Sequence, residues 1–231
     1  MPEIEHHEEH FKANQTIRDI IIGMSDGLTV PFALAAGLSG AVEYSSIIVI
    51  AGLAEIVAGS ISMGLGGYLA AQNDADHYYN ERKREYREVL DVPEKERQEV
   101  VDVFKQYGLE EKEIEPVLNH FEKDHEAWVN FMMQNELHLD EPHPNRMFYS
   151  AGTIAISYIV GGIIPLSPYF FISAPHQALF VSIFITLVAL TIFGFVKSRF
   201  VGINPWKGAL QTAIIGSIAA GAAYLIASLV G

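Results

Sequence analysis

Residues 17–40 read IRDIIIGMSDGLTVPFALAAGLSG, and residues 45–71 read SSIIVIAGLAEIVAGSISMGLGGYLAA. Each stretch is long and apolar enough to cross the ~30 Å hydrocarbon core of a bilayer at ~1.5 Å per residue. Each also carries a carboxylic acid, Asp26 in the first and Glu55 in the second. A charge at bilayer depth costs roughly 2.5–3.5 kcal/mol on insertion scales. An acid there is a functional-site hypothesis, most often for ion or proton movement.

Three more apolar runs of similar length follow, at 147–166, 177–196 and 206–230. With 17–40 and 45–73 they predict an all-α polytopic membrane protein of five transmembrane helices. Half of the 231 residues are hydrophobic, yet the mean hydropathy is only +0.21. The polarity is gathered in one insertion between the second and third spans. The chain thus divides into an N-terminal segment (1–16), spans 1–2 (17–73), a small helical acidic domain (74–146) and spans 3–5 (147–231).

Residues 1–16 are polar and acidic and lack the basic and apolar regions of a signal peptide, so the first span is expected to act as its own insertion signal. Five spans put the N-terminus, the insertion and the loop at 197–207 on one side. Nearly all Lys and Arg fall there, and the loops of the opposite side carry none. The positive-inside rule then makes the N-terminus and the insertion cytosolic and leaves the C-terminus on the far side.

The net charge of −13 arises mostly in the insertion, where residues 74–144 hold 20 acidic against 9 basic residues. Such a surface repels nucleic acid and attracts cations. Cysteine is absent, so a metal site here must use carboxylate, imidazole, thioether or backbone oxygen.

Gly23, Gly27, Pro31 and Gly37 predict an interrupted first span, kinked near residues 27–30, with Asp26 at the weak point. On the second span Glu55, Gly59 and Met63 follow i, i+4, i+8 and share one face. No breaker follows, so that helix is expected to continue out of the membrane to about Leu90. Asp91-Val92-Pro93-Glu94 reads as a helix start with Asp91 as cap. Gly108 reads as the stop of that helix. Residues 109–139 predict one or two more helices, broken near 120–124. Val100, Val103, Phe104, Leu118, Phe121, Trp128, Val129 and Phe131 are the candidate core. Gly161, Gly162 and Pro165 read as the end of the third span.

Oxygen donors suit hard cations and a thioether adds a softer contact. Asp26, Glu55 and Met63, with Met24 and Asn73 at their margins, therefore suit a divalent transition metal such as Fe2+. Removal from water favours a neutral acid and a bound cation favours the charged one, a physical route to exchange of metal for protons. In the insertion, Glu81, Glu85 and Glu88 share a helix face, Glu96 and Glu99 are one turn apart, and Met132, Met133 and Glu136 sit together. Like-charged acids at these spacings repel, which a cation between helices would relieve. A solvated acidic face is the competing reading. Residues 5–10 (EHHEEH) offer further donors. Glu122 and His125 match a single Glu-x-x-His of di-iron bundles, which use two copies. The nucleophile elbow, P-loop, HExxH and dinucleotide fingerprints are missing from the sequence, and no prosthetic group is expected.

RDIIIGMSDGLTVPFALAAGLSG followed by GLAEIVAGSISMGLGGYLAAQNDADHY closely resembles the first two helices of the vacuolar iron transporter family, in particular its plant-type members. The stretch WVNFMMQNELHL resembles the end of that family's cytosolic metal-binding domain, and the likeness covers essentially the whole chain. The resemblance implies a homodimer in the vacuolar membrane that moves Fe2+ from cytosol to vacuole in exchange for protons, with the C-terminus lumenal. It implies translocation residues Asp26, Glu55 and Met63 on a path between the two first helices. It implies a metal-binding set of Glu85, Glu88, Glu96, Glu99, Met132, Met133 and Glu136. Mn2+, Co2+ and Zn2+ suit the same donors. The competing functions are a membrane-anchored di-iron ferroxidase and a passive channel or metal sensor.

Overall fold

The computed structural model describes residues 9–230, and every described regular element is helical. The helices are α1 (Glu9–Ser39), α2 (Ser45–Asp91), α3 (Pro93–Gln106), α4 (Glu111–Phe121), α5 (His125–Asn135), α6 (Arg146–Leu166), α7 (Pro175–Val201) and α8 (Pro205–Val230). A short 3-10 turn, Ser167–Phe170, joins α6 to the loop before α7. Five helices, α1, α2, α6, α7 and α8, are long and apolar enough to cross a membrane. The predicted five-span, all-helical architecture is therefore the one observed. The run at residues 5–10 lies outside the residues whose side chains are described.

The chain forms two compact units. One holds residues up to Tyr68 together with Met147 onward; the other is Leu69–Arg146. Their surfaces differ in kind. On the first unit Ile50, Ile61, Phe180, Phe184, Phe200, Trp206 and Leu229 are among many large apolar side chains facing outward. On the second the apolar residues turn inward around Val100, Ile114, Leu118, Trp128, Val129, Met132 and Met133. A surface of the first kind suits hydrocarbon and one of the second kind suits water.

α2 is continuous over 47 residues, about 70 Å at ~1.5 Å per residue, or twice the hydrocarbon thickness. Its apolar stretch ends near Ala71, and an acid-rich remainder carries the same helix on to Asp91. The expected uninterrupted helix to about Leu90 is thus present. Gly108 adopts φ 87° after α3, the left-handed backbone that glycine supplies at a helix end. The break near 120–124 is present as the turn between α4 and α5. Of the candidate core, Val100, Leu118, Phe121, Trp128 and Val129 form the buried cluster, with Phe104 and Phe131 packed against it.

Three local expectations need correction. Asp91 is the last residue of α2, and the N-cap of α3 is Val92 without a side-chain cap. The rigid Pro93 starts α3 by itself. α1 is not interrupted: it begins eight residues before position 17 and runs through Pro31 to Ser39. One proline removes one backbone bond, which a packed transmembrane helix tolerates. Gly161 and Gly162 lie inside α6, not at its end.

The glycines mark contact, not breakage. A Cβ on Gly23 would strike the carbonyl of Ile154, and one on Gly27 the carbonyl of Tyr158. From the α6 side, a Cβ on Gly161 would lie 2.9 Å from the Leu28 nitrogen, and one on Gly162 would lie 3.0 Å from the Pro31 ring. Along α2, Gly52 meets Leu166, Gly59 meets Tyr158 and Gly67 meets Ile154. α6 is therefore packed backbone-close against both α1 and α2, as small residues allow in lipid. A second layer of contact joins α1 to α7 and α8 through Phe32, Ala36, Leu179 and Ala220.

Candidate metal centres

The first candidate lies where α1, α2 and α6 meet. Asp26 follows from its neighbour: Gly27 presses on the Tyr158 backbone, which holds this turn of α1 against α6. Tyr158 fills the hollow left by Gly59 on α2, and its hydroxyl donates to Glu55 Oε1, one turn away. The other oxygen, Glu55 Oε2, is buried and has no hydrogen-bond partner. Asp26 is half-buried on the turn of α1 that Gly27 presses against the Tyr158 backbone. Asp26 and Glu55 are thus both placed by Tyr158, the first through its backbone and the second through its hydroxyl, and Glu55 presents a free acceptor. Met63 is half-buried on the Glu55 face of α2, about 12 Å further along at ~1.5 Å per residue. Asn73 is exposed.

Two residues here escaped the sequence reading. Tyr158 looks like packing in an apolar run; its position mid-span, away from the interface where tyrosines collect, is the only signal. Asp19 is 1 % exposed and lies two turns before Asp26 on α1. Its spacing of seven residues from Asp26 was the available clue.

The second candidate lies within the Leu69–Arg146 unit. Glu85 and Glu88 stand one turn apart on α2, and Glu96 is on the first turns of α3. One oxygen from each lies within 4.8 Å of the others. Glu85 is 2 % exposed and Glu96 0 %. Glu85 Oε2 and both oxygens of Glu96 are buried without a hydrogen-bond partner. Buried charges are ordinarily paired or bound to metal. Arg84 approaches Glu85 at 3.7 Å and Glu88 at 3.6 Å, while Lys95 bonds Glu99 at 2.9 Å and stands 4.0 Å from Glu96. Arg84 faces Glu85 Oε1 and Lys95 faces Glu96 Oε1, so Glu85 Oε2 and Glu96 Oε2 are left without a cation.

Burial pushes the Glu85 carboxyl up to about 7, helped by the neighbouring charges of Glu136 and Glu88. Burial likewise pushes Glu96 up to about 8, with Glu99 and Glu85 adding to it. Glu136, at the end of α5, is raised by burial and by Glu99. The structure thus gathers Glu85, Glu88 and Glu96 and places Glu99 and Glu136 within their electrostatic reach. Met132 and Met133 are fully buried members of the apolar core. Glu81 belongs elsewhere, bonded to Arg84 at 2.8 Å. The Glu122–His125 pair does not share a helix: Glu122 caps the end of α4 and pairs with Arg97, whereas His125 begins α5. The turn between them removes the helical spacing on which the di-iron resemblance depended.

These shifts fix a pH dependence. Glu85 and Glu96 hold protons more tightly folded than unfolded, where carboxyls titrate near 4.5. Between pH 4.5 and about 8 the folded chain therefore binds more protons, and stability falls as pH rises through that window. A cation that binds the charged acids reverses the loss. In detergent-purified full chain, the thermal midpoint is expected to drop from pH 6 to pH 8.5 without divalent metal and to recover on adding Co2+. A midpoint that rises with pH in metal-free buffer contradicts the assignment.

Five helices apolar and long enough to cross a membrane, with carboxylates within two of them and a separately packed acid cluster, define a polytopic helical membrane protein. The chain belongs to the VIT family, whose model matches residues 17–228. It is 55 % identical over 226 residues to vacuolar iron transporter 1 of Tulipa gesneriana, covering 98 % of this chain and 92 % of that one. It is 54 % identical over 228 residues to vacuolar iron transporter 1 of Arabidopsis thaliana, covering 98 % and 91 %. It is 38 % identical over 225 residues to protein CCC1 of Saccharomyces cerevisiae, covering 94 % and 70 %. The family placement sets the chain with transporters and not with enzymes.

Proposed function

We propose that this chain moves Fe2+ from the cytosol into the vacuole in exchange for protons. The plant relatives are named as vacuolar iron transporters, and the free buried oxygens of Glu55, Glu85 and Glu96 supply the donors such a task needs. The single observation that carries the exchange is Glu55, half-held by Tyr158 and half open. One oxygen is fixed and the other is left for either a proton or an ion.

In this reading the Leu69–Arg146 unit is cytosolic, as the Lys and Arg distribution favours, and the C-terminus is lumenal. Glu85, Glu88 and Glu96 capture the ion by displacing their protons, with Glu99 and Glu136 adding negative potential and Met132 and Met133 offering thioethers. Within the membrane, Met63, Glu55 and Asp26 hand the ion onward. Two copies would pair along their first helices to enclose that path. Protons from an acidic lumen compete for the same carboxylate oxygens and release the ion. Mn2+, Co2+ and Zn2+ suit the same donors, and oxygen ligands alone do not select Fe2+ among them.

The test is flux in proteoliposomes. With the lumen-equivalent side one pH unit more acidic, Fe2+ uptake is expected to rise about tenfold over uptake without a gradient. Collapse of the gradient by a protonophore should return it to that level. Uptake indifferent to the gradient rejects proton exchange while leaving metal transport standing. Oxygen-dependent Fe2+ oxidation by the purified protein would favour the ferroxidase reading instead.

A further inference from the structure

One groove has no part in either metal centre. Phe32 and Ala36 of α1, Leu179, Ile183 and Leu187 of α7, and Ser217, Ala220, Gly221 and Tyr224 of α8 enclose a cavity of about 340 Å³, with His176 and Phe180 at its edge. Phe32, Ala36, Leu179 and Ala220 are buried and form its floor. Phe180, Ser217 and Gly221 are exposed, so the groove opens outward from the bundle. A Cβ on Gly221 would meet nothing within 4 Å; the missing side chain is part of the hollow.

The distribution of polar atoms along the groove is uneven. Ser217 spends its hydroxyl on the Ala213 carbonyl at 2.8 Å, so that part of the wall asks for no polar partner. His176 is exposed at the start of α7, and the Tyr224 ring lies 3.3 Å from the Cβ position of Gly40 at the end of α1. Both therefore stand at the end of the bundle where α7 begins. From His176 to Leu187 the groove runs about 16 Å along α7 at ~1.5 Å per residue, the depth of one leaflet of a ~30 Å core. A helix, roughly 10 Å across with its side chains, would far exceed the cavity volume of about 340 Å³. Left empty, such a hollow forfeits dispersion contacts on every wall.

We propose that this groove is a phospholipid site: one acyl chain lies along α7 and α8, and its ester or phosphate oxygens accept hydrogen bonds from His176. The inference rests on the membrane placement of the five spans and not on which ion the chain carries.

Reconstituting the full chain in phosphatidylcholine vesicles, with a small fraction bearing a diazirine on one acyl chain, tests it. After photolysis, adducts on Ile183, Leu187 and Ser217 are expected to exceed those on the outward-facing Phe184 and Ile214 by about fivefold. Gly221→Leu places a side chain in the hollow, where a Cβ meets nothing within 4 Å, and should bring the groove labelling down to that background, with Phe184 labelling and Fe2+ flux assayed alongside. Equal labelling of groove and outer faces, or groove labelling that survives Gly221→Leu, overturns the site. A photoreactive sterol that labels the groove in place of the phospholipid overturns the assignment of its occupant. Groove labelling in a parent chain that shows no Fe2+ flux speaks against the transport reading alone.

Discussion

Asp26→Asn is expected to cut Fe2+ flux in proteoliposomes to the level of empty vesicles, a loss of at least about tenfold, while the protein stays folded and monodisperse. The substitution keeps the shape of the side chain and removes only its ability to exchange a proton for a cation. Asp26 sits beside Gly27, whose contact with the Tyr158 backbone does not involve the carboxylate, so the α1–α6 packing should survive. Glu55→Gln is the companion. Its amide oxygen can still accept from the Tyr158 hydroxyl that now bonds Glu55, so placement is retained and charge is lost. If either variant transports like the parent chain, the intramembrane acids serve packing and the proposed path is wrong. Metal binding by the Leu69–Arg146 unit should be unchanged in both, which separates capture from translocation.

Gly27→Leu is expected to be the most damaging single change to the fold. The added side chain would have to occupy the space of the Tyr158 carbonyl, and backbone cannot rotate out of the way as a side chain can. Overpacking typically costs about 1–3 kcal/mol, occasionally more, and this site belongs at the upper end or beyond. For a chain of this size about 3 kcal/mol is a drop of roughly 10 °C in thermal midpoint. Fluorescence-detected size exclusion after a heating series in detergent measures it. Gly66→Ala and Gly152→Ala are the controls, since a Cβ at either position meets nothing within 4 Å; both should match the parent or exceed it slightly, as alanine favours a helix. A Gly27→Leu protein as heat-stable as these controls would mean that α1 and α6 are not in backbone contact.

The contrast between these glycines shows what the sequence holds and what it withholds. Hydropathy located the five spans, and the absence of a breaker after Ala71 predicted the long α2, because both depend on local composition. Gly23, Gly27 and Pro31 predicted a break, yet α1 is continuous. A glycine signals both a weak backbone and a close approach, and only the partner surface, Ile154 and Tyr158 on α6, distinguishes the two. Tyr158 was missed for the same reason: its importance comes from Gly59 and Glu55, more than ninety positions earlier in the chain. Spacing gave Glu85, Glu88 and Glu96 as residues and only the family resemblance grouped them, since the turn at Val92 and Pro93 decides whether α3 folds back toward α2. The Glu122–His125 pair failed because the break expected near 120–124 falls between the two residues, so their spacing is not a helical one.

The bond between Tyr158 and Glu55 joins residues 103 positions apart, and this separation bears on biosynthesis. At about 5–20 residues per second, the first two helices leave the ribosome on the order of ten seconds before the strip of α6 they must clasp. The Leu69–Arg146 unit is contiguous in the chain and needs no such wait. Nascent chains arrested before Met147 should therefore carry an assembled acidic bundle and two unmated helices, a window in which a chaperone of the membrane or a premature stop would act first on the helices that carry Asp26 and Glu55.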